Sequence, residues 1–155
     1  MAEEWDMPPH VPGAGPTVLF GAFDRHNFGD LLFPHIAAAL LPGRDLVFAG
    51  LATRDLRPHG GHRVEALADV AATWGRRPDH PVHLLHVGGE ILSCTAWQAA
   101  VMLLPPEQAP AMVTYLEARP EEKEAWTRAR LGRPDLAPYA VPRHLFPGAA
   151  RISYN

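Results

Sequence analysis

The sequence predicts a doubly wound α/β domain in three layers, with a mostly parallel sheet. Three observations lead there. Short apolar runs, residues 17–21, 46–51 and 82–87, read as buried strands. Each is followed by a helical pattern, at residues 31–41, 64–74 and 95–104. The chain has 155 residues, 47% hydrophobic and 20% charged, enough for one sizeable core. Strand and helix alternating three times over is the order of βαβ units, whose parallel strands are buried between helical layers.

Residues 1–16, with Pro-Pro and Pro-Gly clusters and no periodicity, read as a loose leader. The α/β domain is expected over residues 17–131. After the first strand, Asp30 is the expected N-cap of the helix over 31–41, with Pro34 in its first turn and Pro42-Gly43 as its stop. A polar loop is expected at 53–62. Val64, Leu67, Ala68, Ala71 and Trp74 recur at helical spacing and predict a second helix, closed by Gly75. The third strand ends at Gly88-Gly89, and the apolar helix after it stops at Pro105-Pro106. Trp74, Trp97 and Met102 are assigned to the core. Met112, Val113 and Leu116 predict a short helix after Pro110. Residues 120–131 predict another, with Glu121, Glu122 and Glu124 early and Arg128 and Arg130 late, in accord with the helix dipole. Residues 132–155 read as a Pro-rich tail, in which Arg151-Ile-Ser-Tyr-Asn155 begins a new strand.

A formal net charge of -3 is the wrong sign for a nucleic-acid partner. The single cysteine, Cys94, rules out an internal disulfide framework and a Cys-based zinc cluster, and reads as a small buried residue. The acidic N-terminus lacks the pattern of a secretory signal, and no apolar run approaches the roughly 18 residues that span a bilayer, so the expected compartment is the cytoplasm.

In open α/β sheets, ligands bind outside the carboxyl ends of the strands. The loop after the first strand carries Asp24, Arg25, His26, Asn27, Gly29 and Asp30. The loop after the second carries Arg54, Arg57, His59, His62 and Arg63, and the loop after the third carries Gly88, Gly89, Glu90 and Cys94. Asn27-Phe-Gly-Asp30 is the sharpest feature: its Asn and Gly tolerate an unusual backbone, and its Asp caps a helix while keeping one oxygen available. His59 and His62 flank two glycines and either meet a phosphate or carboxylate or are plain loop residues. No metal site is expected. His83 and His86 are an odd number of positions apart in a strand and face opposite sides, so a core histidine bonded to the backbone is the reading there. Glycine-rich dinucleotide, Walker and Gly-x-Ser-x-Gly patterns are lacking, and no cofactor is expected.

The strand, the Gly21-x5-Asn27-x-Gly29-Asp30 loop, the apolar helix and the Val87-Gly88-Gly89 turn together resemble the N-terminal half of the polysaccharide pyruvyl transferase family, over residues 17–104. Ser153-Tyr154-Asn155 resembles the segment leading into that family's second domain. The resemblance implies a Rossmann-like domain, similar to one half of a two-domain GT-B-like fold. It implies transfer of pyruvate from phosphoenolpyruvate to a sugar-containing acceptor, as in exopolysaccharide synthesis. Asp30 would then be the catalytic candidate, with Arg25, His26, Asn27, Gly29, His59, His62, Gly88, Gly89 and Glu90 around the substrate. Glu90 departs from the family's glycine run, and much of the phosphoenolpyruvate site would belong to a second half that these 155 residues do not contain. The expectation is therefore a domain incomplete or inactive alone, paired with another copy or with a separate second-domain chain. The alternative is a non-catalytic sugar- or nucleotide-binding module acting with a partner.

Overall fold

The computed structural model describes residues 15–25, 27–88, 93–132 and 137–154. Among these residues six strands form one sheet: β1 (Thr17–Phe20), β2 (Leu46–Gly50), β3 (Arg54–Asp55), β4 (Arg63–Ala66), β5 (His83–His86) and β6 (Arg151–Tyr154). Among the described residues five α-helices accompany them: α1 (Phe28–Leu40), α2 (Leu67–Trp74), α3 (Ala96–Met102), α4 (Ala109–Glu117) and α5 (Pro120–Leu131). The sheet order is β3-β4-β2-β1-β5-β6. All pairings are parallel except that of β3 with β4. From β1 the chain moves to β2 and out to β3 at one edge, then back one place to β4, which lies between β2 and β3. It then returns to the other side of β1 with β5 and β6, so its direction of travel across the sheet reverses between β1 and β5.

Alternation along β1 divides the core. Val18 and Phe20 face α2, α3 and the C-terminal segment, in a cluster with Ala49, Leu67, Val70, Leu84, Ala99, Tyr139 and Phe146. Leu19 faces α1, in a smaller cluster with Phe23, Ala37, Val64 and Val87. The described part of residues 132–155, read from its prolines as a tail, is thus built into the domain. Tyr139, Val141, Phe146 and Ala149 are buried, and β6 pairs with β5 from His83↔Arg151 to His86↔Tyr154.

Several expectations need correction. Asn27, not Asp30, caps α1: its Oδ1 accepts from the Gly29 amide at 3.2 Å. Asp30 lies inside the first turn, drawn away from a capping role by Arg25. Pro34 consequently falls in the second turn, in the helix interior, where it removes one amide from the ladder without ending the helix. Val64 belongs to β4, whose Glu65 and Ala66 pair with Ala49 and Gly50. Only from Leu67 does the chain turn helical, so the expected polar loop contains β3 and a 3-10 turn at Arg57–His59. Met102 is exposed, and Trp74 and Trp97 are half-buried. α5 matches its expected bounds, and its stop, Gly132, takes a left-handed conformation at φ 63°.

Candidate functional site

The parallel pairing brings the loops after β1 and β5 to one edge of the sheet, beside each other. The β1 loop is held down from inside. Asp24 is buried, and its Oδ2 accepts from the amides of Leu51, at 2.5 Å, and Ala52, at 3.2 Å, just past the end of β2. The Tyr139 hydroxyl donates to Oδ1 at 3.1 Å. This approach requires Gly50, because a Cβ there would stand 2.4 Å from the Asp24 Cβ. Burial pushes the Asp24 carboxyl above its ordinary value, against the pull of its three donors. Burial and the neighbouring Asp24 charge push the Tyr139 hydroxyl up as well.

Arg25 continues the network. Its Nε donates to Asp30 Oδ2 at 3.1 Å, and both residues are 8% exposed. Its Nη1 donates to the Met102 sulfur, and its guanidinium lies 5.7 Å from the centroid of the Tyr139 ring. Arg25 and Asp30 thus form a nearly buried ion pair that fixes the loop to the start of α1. Outside this pair, Asn27, Phe28 and Gly29 are exposed at the N-terminus of a 13-residue helix. Gly88 follows β5 at φ 59°, and the Phe33 ring of α1 occupies the space a Cβ would take, 2.3 Å away. Gly88 is therefore required twice over, and it ties the β5 loop to α1.

Of the expected substrate residues, Arg25, Asn27, Gly29 and Asp30 gather at this edge, with Gly88 just past the end of the adjoining strand β5. His59 and His62 do not join them. His59 ends the exposed 3-10 turn between β3 and β4, two strands away from β1. His62 is stacked on Phe48 at 3.8 Å between centroids and lies 4.2 Å from the His35 ring, on the α1 side of the sheet. Burial, and then the neighbouring His35, hold its imidazole below the ordinary range. His26, Gly89 and Glu90 lie outside the described residues.

Sequence reasoning placed Asp24 in this loop and Met102 in the core, but gave neither of them, nor Tyr139, the part of immobilising the loop. Asp24 and Tyr139 are 115 positions apart, and no local pattern connects them. The one available signal was Gly50, a glycine at a strand end with room needed above it.

His86 behaves as expected of a core histidine. It is fully buried; its Nδ1 donates to the Ser153 carbonyl at 3.0 Å, and its Nε2 accepts from the Val141 amide at 3.1 Å. These partners define the neutral ring with its proton on Nδ1. Among the described residues no cluster of three or more His, Cys, Asp or Glu side chains could hold a metal ion, and no helix is long and apolar enough to cross a membrane.

The edge between β1 and β5 combines a rigid buried polar frame with exposed amide donors at a helix start. Such a combination recognises hydroxyl or anionic oxygen atoms. No family model, curated protein or solved structure matches the chain.

Proposed function

We propose that this chain is a Rossmann-like ligand-binding domain of the pyruvyl transferase type, receiving a sugar-containing acceptor at the edge between β1 and β5. The supporting observation is the position of Asn27-Phe-Gly-Asp30, at the start of α1 where the chain's travel across the sheet reverses. That is where open α/β sheets bind their ligands. In this reading Asn27 and the first amides of α1 meet the sugar hydroxyls, and Arg25 with Asp30 positions them.

The reaction of the type joins phosphoenolpyruvate to a sugar diol. One hydroxyl oxygen bonds to C2 of the enol and gives up its proton as C3 takes one up. A second hydroxyl oxygen then bonds to C2, the bond from C2 to the phosphate oxygen breaks, and the proton of this second hydroxyl leaves with the phosphate, which closes the ketal. Cations must hold the phosphate and carboxylate through these steps. Arg25, the only cation at this edge that the described residues bring beside Asp30, is committed to an ion pair and a methionine sulfur. That commitment favours acceptor binding here and donor binding on a second half.

The reading is tested by amide NMR titration with phosphoenolpyruvate, hexoses and nucleotide sugars. A sugar ligand is expected to shift the resonances of Asn27, Gly29 and Gly88, while phosphoenolpyruvate alone shifts none of them. Sugar-induced shifts confined to other parts of the chain, or none with any ligand, would overturn it. Acceptor-dependent phosphate release by the chain alone, lost in Asp30→Asn, would make it a complete enzyme instead.

A further inference from the structure

We propose that two copies of this chain associate through the outer face of α1. Phe28, Leu32, Ile36 and Leu40 stand at intervals of four along that face, with Phe33 beside them, and all five are exposed. Phe28 is 82% and Leu40 68% exposed. Among the described residues, five of the eight large apolar side chains left in solvent lie on this one helix, so the patch is continuous rather than scattered. The sequence of α1 contains no Lys, Arg or Glu, and its single Asp30 is turned inward to Arg25. A surface helix ordinarily turns a charged face to water, and one that is apolar all round is covered on all sides.

The chemistry of the face narrows what covers it. A membrane-surface helix carries basic residues along its polar flank, and α1 has none. A partner chosen by charge would need charges to answer, and the row offers none. A second half closing over the β1 and β5 loops would meet only the Phe28 end, since α1 runs back down the sheet for 13 residues, about 20 Å. A second copy meets the requirement with the same uncharged row. Rows of side chains spaced by four interlock when two helices cross at about -50°. The five residues expose roughly 500 Å² per copy, so a two-fold pairing buries at most about 1,000 Å², the lower bound for a specific interface. The association is therefore expected to be concentration-dependent.

Sedimentation velocity over a concentration series, from micromolar to several hundred micromolar, reads this directly. The wild-type chain is expected to pass from 17.0 kDa to twice that mass. Leu32→Glu with Ile36→Glu should weaken the dimer at least about 30-fold, the effect of losing one interface hot spot. Both sites are exposed, so circular dichroism of the variant should match wild type. Ile36→Cys, near the centre of the row, should form an interchain disulfide under mild oxidation, which reports the same contact without adding charge. A monomer at every concentration would overturn the proposal. So would a dimer that survives in the folded double-Glu variant and leaves Ile36→Cys uncrosslinked, or co-sedimentation of the wild type with anionic vesicles that the double-Glu variant lacks.

Discussion

The two faces of the sheet are built by the same alternating strands, yet they differ in how they are closed. On one, α2, α3 and residues 137–149 cover Phe20, Leu84 and His86 completely, and the polar groups taken inside find partners. On the other, α1 is the helix that covers β1 and β2 among the described residues. His83, Leu85 and Ser153 remain half-buried along β5 and β6, and α1 itself has an apolar outer side. The difference shows what the C-terminal segment contributes. It brings Tyr139 to Asp24 and Val141 to His86, so that buried polar atoms which would otherwise carry a desolvation cost become part of the frame.

Removing bulk tests the contrast most severely. Phe20→Ala on the closed face should cost about 4 kcal/mol, because the ring is fully buried against His86 and Tyr139 and its loss leaves a cavity. Phe28→Ala, the same chemical change on the outer side of α1, should stay within about 0.5 kcal/mol in dilute solution. Urea denaturation of both variants below the concentration of any association makes the comparison. Similar losses would mean that the two faces are closed alike.

Tyr139→Phe keeps the ring and removes one donor. Asp24 would then retain only the Leu51 and Ala52 amides, and the expected loss is about 2 kcal/mol. Asp24→Asn in the same background should recover part of it if the cost is that of an underbonded buried carboxylate. No recovery would place the effect in packing.

Much of this architecture was legible in the chain. The runs at 17–21, 46–51 and 82–87 are short, apolar and bounded by glycine or proline, and each is a central strand. Pro120 and Gly132 delimit α5 because a proline at a first turn and a glycine just past the last are local requirements of any helix. The join of β4 to α2 was hidden because Val64 and Leu67, three apart, satisfy helical spacing while lying in different elements. The cap of α1 was displaced because Asp30 has a competitor for its side chain in Arg25, five positions back. The site was legible only in its local part, Asn27 to Asp30. Asp24, Tyr139 and His86 act through contacts spanning 27 to 115 positions, which no periodicity encodes.

The histidines sharpen the comparison through pH. Burial holds the His86 imidazole below its ordinary 6.5, and a proton on Nε2 would face the Val141 amide donor. Between the folded and unfolded values, the unfolded chain binds more protons. The stability due to neutral His86 is therefore full above about pH 6.5 and is lost as pH falls toward the folded value, at up to about 1.4 kcal/mol per pH unit. His83, on the open face, is shifted in the same direction by burial and then by Arg44 and Arg151, but it is more exposed. Denaturation at pH 7 and pH 5 should show His86→Gln losing more of the acid sensitivity than His83→Gln. Parallel slopes in wild type and His86→Gln would assign that sensitivity elsewhere.

The smallest expected effect lies where the two faces meet the candidate site. Asn27 is exposed and makes one capping bond to the Gly29 amide. Asn27→Ala should cost about 1 kcal/mol, and Asn27→Asp should restore most of it, since an aspartate caps as well and also suits the positive end of the helix. Ligand binding separates the two substitutions. If Asn27 serves only as a cap, its Asp variant should bind a sugar ligand as wild type does. If its side-chain amide donates to a sugar hydroxyl, Asp removes that donor and sets a negative charge against the acceptor's oxygens. Affinity should then fall about tenfold, the loss of one hydrogen bond, while stability is preserved. Equal affinity in wild type and Asn27→Asp would confine Asn27 to the fold and leave the Phe28 and Asp30 amides, which the cap does not use, as the recognising groups.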